Sequence, residues 1–186
     1  MEREYLPLVQ NVVSFAMMAI ENDLDLKLIA EKVEGCRYNK KRFPAVIMRK
    51  TKPKSTILVF KSGRMIIIGS ESESDAEQAA KKAIKDIQKA LSLKLKMIEF
   101  RVTNIVANAD IGFKINVGRL CEEKNVVRND NFPGVVYKQL EHVRSALIFA
   151  SGKVVFTGAK KKDEIDNAFN ELKRKMEKFR NQEVKP

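Results

Sequence analysis

The chain has 186 residues, of which 44% are hydrophobic and 32% charged, with a formal net charge of +12 at pH 7. That length can bury a good core as one domain or as two intimate halves, and no apolar run approaches the ~18 residues of a membrane span. The charged start, Met1-Glu2-Arg3-Glu4-Tyr5, does not read as a signal peptide. Cys36 and Cys121 are too few and too isolated for a disulfide framework or a zinc site, and they fit reduced thiols in a cytosolic or nuclear compartment. Residues 1–93 carry 17 basic and 12 acidic side chains, residues 94–186 carry 19 and 12, so the positive charge belongs to both halves and is not a tail. A polyanion is the partner such a balance points to.

In chain order, the first predicted element is a short strand at Asn11. A helix follows, in which Leu24, Leu26, Ile29, Ala30 and Val33 have helical spacing and Asp23 is the expected cap. Phe43 precedes Pro44 in a turn-like context, which expects an exposed loop tip. Ser55 to Phe60, the turn Lys61-Ser62-Gly63-Arg64 and Met65 to Ile68 read as a β-hairpin. After Gly69 comes a long amphipathic helix, with Ser72 as cap and Asp75 three residues on. Its apolar stripe is Ala76, Ala79, Ala80, Ala83, Ile84, Ile87 and Leu91.

The chain then repeats itself. Val9-Gln10-Asn11-Val12-Val13 returns as Val102-Thr103-Asn104-Ile105-Val106, at an offset of 93. Phe43-Pro44-Ala45-Val46 returns as Phe132-Pro133-Gly134-Val135, Phe60-Lys61-Ser62-Gly63-Arg64 as Phe149-Ala150-Ser151-Gly152-Lys153, and Gly69 as Gly158, all at an offset of 89. Phe113, Ile115, Val117 and Leu120 read as strand or helix. A second hairpin is expected from Ser145 to Thr157, and a second helix has Ile165, Ala168, Phe169, Leu172, Met176 and Phe179 as its stripe. Two repeats, 1–93 and 94–186, within a single structural core imply a pseudo-two-fold molecule, and duplex DNA is the commonest pseudo-two-fold ligand. The lysines off the helix stripes, such as Lys81, Lys85 and Lys173, read first as a solvated face.

The hairpin strands are apolar on both faces, unlike a half-exposed antiparallel sheet. Ile57, Val59, Met65 and Ile67 point one way and can pack under the helix. Leu58, Phe60, Ile66 and Ile68 point the other way. In the second repeat Ala146, Ile148, Val154 and Phe156 oppose Leu147, Phe149, Val155 and Thr157. Each repeat has helix enough for one face only, so the other is an apolar surface that needs a partner. Asn11 with Val13, and Asn104 with Val106, fall on that open face. The DNA minor groove, lined by sugar edges and by A·T acceptors of little sequence information, suits it once kinked open. Phe43, Phe60, Phe132 and Phe149 form two pairs of candidate wedges. Any one Phe alone reads first as core, and repetition in the same local context is what reverses that reading.

At these residues the chain resembles the TATA-box-binding protein family. The resemblance runs from Leu8 to about Arg180 and is carried by Gln10-Asn11-Val12-Val13-Ser14, Leu24-Asp25-Leu26-Lys27, Tyr38-Asn39-Lys40-Lys41-Arg42-Phe43, Ala45-Val46-Ile47-Met48-Arg49, Leu147-Ile148-Phe149-Ala150-Ser151-Gly152-Lys153 and Thr157-Gly158-Ala159-Lys160. This family is itself the general example of a minor-groove binder that kinks DNA. The resemblance implies an α+β saddle: two pseudo-symmetric repeats forming a curved ten-stranded antiparallel sheet, with four helices on the convex face. It implies intercalation by Phe43, Phe60, Phe132 and Phe149. Asn11 and Asn104 would donate to central acceptors, and Val13, Leu58, Ile66, Ile68, Val106, Leu147, Val155 and Thr157 would pack on base edges and sugars. Phosphates would be met by Arg42, Arg49, Ser62, Arg64, Lys138, Ser151, Lys153 and Lys160. Expected partners are TATA-containing duplex DNA, transcription factor IIB-like and IIA-like factors and TBP-associated factors, with a homodimer off DNA through the apolar face. A nuclear location is implied, and no cofactor, metal or membrane.

Several residues depart from the family pattern. Ile68 stands where Thr is usual, and Thr157 keeps it. Glu71 replaces a usual Lys. The connection from Phe15 to Asp23 is about two residues longer, and the long N-terminal arm of many relatives is not expected. Before Phe132 the family carries two glutamates that meet factor IIB, where this chain has Arg128 and Asp130. An enzyme is the first rival reading. His142 is the only histidine, the carboxylates are scattered, and there is neither a P-loop nor a dinucleotide-binding glycine pattern. A related interaction module with altered DNA or partner specificity is the second rival. RNA binding would want stacking aromatics on a polar sheet, and this sheet is aliphatic.

Overall fold

A computed structural model describes residues 5–128 and 131–181. The chain is α+β. Ten strands join in one antiparallel hydrogen-bonded sheet of order β2-β3-β4-β5-β1-β6-β10-β9-β8-β7. The first repeat supplies β1 (Tyr5–Ala19), α1 (Leu26–Lys32), β2 (Cys36–Arg37), β3 (Ala45–Thr51), β4 (Lys54–Phe60), β5 (Arg64–Ser70) and α2 (Glu73–Leu91). The second supplies β6 (Lys96–Asp110), α3 (Val117–Leu120), β7 (Val126–Arg128), β8 (Gly134–Lys138), β9 (Ser145–Phe149), β10 (Lys153–Ala159) and α4 (Lys162–Met176), which ends in a 3-10 turn, Glu177–Phe179.

Two compact units emerge in space. The N-terminal unit is Asn11–Thr103, and the C-terminal unit joins residues 5–10 to 104–181. The strands expected to be short at Asn11 and Asn104 are 15 residues each, long enough for each to run from one unit into the other.

In the N-terminal unit the two-sided hairpin resolves as its residues dictate. Ile57, Val59, Met65 and Ile67 are buried at 0% exposure beneath α2, whose buried stripe is Ala76, Ala79, Ala80, Ala83, Ile84, Ile87 and Ala90. Small residues at helical spacing let α2 lie close on the strands, and complete burial of such side chains is the main stabilising term. Ser72 caps α2 by accepting from the Asp75 N–H. The cap of α1 is not Asp23, as its position had suggested, but Asp25, whose Oδ1 accepts from the N–H of Lys27 and of Leu28. Helical geometry starts two residues later than the apolar spacing implied. Leu24 is instead tied by its N–H to the Lys61 carbonyl at 2.8 Å, and the Asp23 carboxylate pairs with Lys61 Nζ at 2.9 Å.

In the C-terminal unit, Ala146, Ile148, Val154 and Phe156 are buried against Ile165, Ala168, Phe169, Leu172 and Met176 of α4. The Phe156 and Phe169 rings meet edge to face, centroids 6.5 Å apart. The ambiguous stretch after Phe113 divides. Ile115 makes a single bridge to Arg180, and α3 follows for four residues, capped by Asn116. On α4, burial raises the Glu171 pKa, but the Lys175 ammonium, the Glu141 N–H and nearby charge outweigh it and hold the carboxyl below its ordinary value.

Candidate nucleic-acid interface

Strand register places the predicted groove residues in rows. In the N-terminal unit Phe15 pairs with Ile66, Ile66 with Leu58, and Leu58 with Ile47. In the C-terminal unit Asn108 pairs with Val155, Val155 with Leu147, and Leu147 with Val136. Thr56 pairs with Ile68, and Ser145 with Thr157, which pairs with Val106. All ten residues expected at the groove floor are half-buried: Asn11, Val13, Leu58, Ile66 and Ile68 in one unit, and Asn104, Val106, Leu147, Val155 and Thr157 in the other. Among their neighbours along the strands, Val12, Ile57, Val59, Ile67, Ile105, Ile148, Val154 and Phe156 are buried. Each unit therefore presents an apolar face that its own helices do not cover.

The four phenylalanines stand as two pairs, one in each unit. Phe43 and Phe60 have ring centroids 6.1 Å apart, and Phe132 and Phe149 5.8 Å apart. The loop member of each pair is exposed, Phe43 at 37% and Phe132 at 42%, while Phe60 and Phe149 are half-buried on strand ends. The first pair meets edge to face and the second is tilted, and in both the contact holds the strand ring while its loop partner projects.

The two asparagines share one device. The Asn11 Oδ1 accepts from the Gly69 N–H at 2.8 Å, and the Asn104 Oδ1 accepts from the Gly158 N–H at 2.8 Å. With the oxygen committed, the amide NH₂ is the end left to act, and it can only donate. The Thr157 hydroxyl also reaches the Asn104 Oδ1, at 3.4 Å, whereas Ile68 at the matched position has no hydroxyl to offer Asn11. Asn104 is thus held by two partners and Asn11 by one.

The residues expected at phosphates, Arg42, Arg49, Ser62, Arg64, Lys138, Ser151, Lys153 and Lys160, are all exposed. Among the described residues none of the six basic ones enters a salt bridge, while Lys50, Lys61, Lys81, Lys162, Lys175 and Lys178 do. The hydrogen bond and charge of Asp23 raise the Lys61 pKa and occupy its ammonium. Glu71 is exposed just beyond β5, and Arg128 is exposed on β7 opposite Val135. Asp130 lies outside the described residues. Among the described residues no cluster of three His, Cys, Asp or Glu side chains could hold a metal ion.

Reading by repeated motif missed Phe15, Ile47, Asn108 and Val136, which share rows with the predicted residues. Counting by twos from Val13 and Val106 would have reached Phe15 and Asn108, since alternate residues of a strand share a face.

A family model described as transcription factor TFIID (or TATA-binding protein, TBP) matches residues 7–90 and 99–179. The chain is 42% identical over 170 residues to the TATA-box-binding protein of Dictyostelium discoideum, covering 90% of this chain and 82% of that one. With the TATA-box-binding protein of Schizosaccharomyces pombe it shares 39% identity over 178 residues, 94% of this chain and 76% of the other. The solved structure of Methanococcus jannaschii TBP superposes with a TM-score of 0.81 at 30% identity, covering 93% of this chain and 99% of that one.

Proposed function

This chain belongs to the TATA-binding protein family, a family of transcription factors and not of enzymes, and from that membership we propose that it is a general transcription initiation factor that binds the minor groove of TATA-like promoter DNA in the nucleus. The observation that carries the reading is the paired repetition of one constellation. Each unit holds a Phe pair, a half-buried aliphatic floor and an asparagine restricted to donating. The phenylalanines wedge between base steps and open the groove. Leu58, Ile66 and Ile68, with Leu147 and Val155, lie on sugars and base edges. The Asn11 and Asn104 NH₂ groups donate to adenine N3 or thymine O2, acceptors that both A·T orientations present. The guanine amino group would oppose a donor with a donor, so A·T is preferred. Arg42, Arg49, Arg64, Lys138, Lys153 and Lys160, which form no ion pair among the described residues, neutralise phosphates together with the Ser62 and Ser151 hydroxyls.

The bent duplex with this chain upon it then nucleates assembly with factor IIB-like and IIA-like proteins and TBP-associated factors. Arg128 alters the charge of the segment that faces factor IIB in the family, so the contact with that partner differs from the family's. Off DNA, the apolar face supports self-association.

The test is a gel-shift and bend measurement on a TATA duplex beside a G·C-substituted control. Tight, selective binding with a large bend is expected. Weak or unselective binding would instead favour an interaction module of the same fold, repurposed at Ile68, Glu71 and Arg128.

A further inference from the structure

We propose that Phe15 and Asn108, which occupy one matched position in the two repeats, make the two halves read different base pairs: the half carrying Asn108 accepts a G·C pair that the half carrying Phe15 rejects. This rests on the minor-groove reading above and names the specificity of the same face.

The two positions are equivalent by register. Phe15 heads the row Ile66, Leu58, Ile47, and Asn108 heads the row Val155, Leu147, Val136. Each later member of the second row is the repeat counterpart of the first, and all six are half-buried aliphatics. The chemical difference is therefore concentrated in the head residue. The Phe15 ring is half-buried and lies under the Arg101 guanidinium, 4.8 Å from its centroid, and that guanidinium is held by Glu99 at 2.9 Å. A ring fixed in this way offers a base edge no acceptor. Asn108 is exposed and its side chain makes no hydrogen bond among the described residues. It lines an open groove of 1140 Å³ within the C-terminal unit, together with Leu8, Val155 and the wedge residue Phe149.

The contrast with the locked asparagines decides what Asn108 does. Asn11 and Asn104 each commit Oδ1 to a glycine N–H, which fixes the orientation of the amide and leaves its NH₂ as the end to donate. Asn108 keeps both ends of its amide available. Turned one way, its NH₂ donates to adenine N3 or thymine O2. Turned the other way, its Oδ1 accepts from the guanine N2 amino group, the one donor that distinguishes G·C in the minor groove. Under Phe15 the same amino group would lose water and gain no partner, so G·C is penalised there.

The experiment walks a single G·C pair, one position at a time, through an otherwise all-A·T duplex in gel-shift titrations. Each duplex has a twin carrying hypoxanthine in place of guanine, which lacks the amino group. For the native chain, G·C should bind within about threefold of its hypoxanthine twin at one position and about tenfold more weakly elsewhere. Asn108→Leu should lose about a further tenfold on G·C relative to the hypoxanthine twin at the tolerant position, so that this position comes to discriminate like the others. Phe15→Asn should create a second tolerant position. The proposal is overturned by a native chain with no tolerant position, or by tolerance that survives Asn108→Leu. If the native chain fails to hold even the all-A·T duplex, the minor-groove reading falls, and this inference with it.

Discussion

The two repeats place different side chains on matched backbone, and the differences fall unevenly on the two faces. On the helix-facing side Ser14 and Ser70 stand where the second repeat has Ala107 and Ala159, and all four are buried. Ala80, Ala83 and Ala90 stand where it has Phe169, Leu172 and Phe179, again all buried. Large substitutions in the fill are tolerated because each core packs against its own helix and needs only total volume and shape. On the open face, by contrast, the Phe pairs, the asparagine–glycine bonds and the aliphatic rows recur almost unchanged, and the exceptions include Ile68 against Thr157, Phe15 against Asn108 and Met17 against Asp110. What must match a ligand is repeated, and what only fills space is not.

The largest effect should come from Gly158, set against its counterpart Gly69. Both have positive φ, +87° at Gly69 and +102° at Gly158, but an added Cβ meets nothing within 4 Å at Gly69. At Gly158 it would lie 2.3 Å from Arg144 Cβ and 2.7 Å from Arg144 N. Gly69→Ala should cost about 1 kcal/mol from backbone strain alone, and Gly158→Ala about 3 kcal/mol, read from urea unfolding midpoints. Equal losses would show that the neighbour at Arg144 yields freely.

Next come the wedges. Phe149→Ala should lower TATA affinity by about 2 kcal/mol and reduce the bend, with Phe60→Ala of similar size, since each removes one ring of a matched pair. A large asymmetry between them in gel-shift titration would show that one end of the element dominates. Asn104→Ala should weaken binding by about 1 kcal/mol with a smaller change in bend, and Asn11→Ala by somewhat less, because only Asn104 is braced by a threonine. Ile68→Thr should narrow that gap.

Smaller still is the effect at the buried hydroxyl of Ser14, which has no hydrogen-bond partner among the described residues. Ser14→Ala should raise stability by about 0.5–1 kcal/mol by removing a desolvated polar group, and Ala107→Ser should do the reverse. Both are checked by thermal melts.

The smallest effect is at the part-buried ion pairs along the helix flanks. There Lys82 donates to the Lys52 carbonyl and Asp86 pairs with Lys50, while their counterparts Glu171 and Lys175 pair with each other. Because the Glu171 pKa is depressed in the fold, its contribution is present above the ordinary carboxylate pKa and is lost as pH falls through the folded value. Glu171→Gln should cost about 0.5 kcal/mol at neutral pH and nothing in acid, measured by urea titration at both.

Much of this molecule is determined by sequence alone. The repeat, the hairpins, the Ser72 cap and the two-sided strands follow from local chemistry, since period-two alternation and turn residues act over a few positions. The lengths of β1 and β6 do not, because a strand extends as far as neighbours supply hydrogen bonds, and those neighbours lie far away in the chain. The cap at Asp25 was missed because apolar spacing shows which face is buried and not where helical geometry begins, a choice settled by the tie from Leu24 to Lys61. The committed oxygens of Asn11 and Asn104 likewise depend on glycines 58 and 54 residues distant. Residue identity supplied the amides and the rings. Only the tertiary structure decided which amides may donate alone, which one is left free to do either, and which rings stand in pairs, because hydrogen bonds and ring contacts are made across strands and not along them.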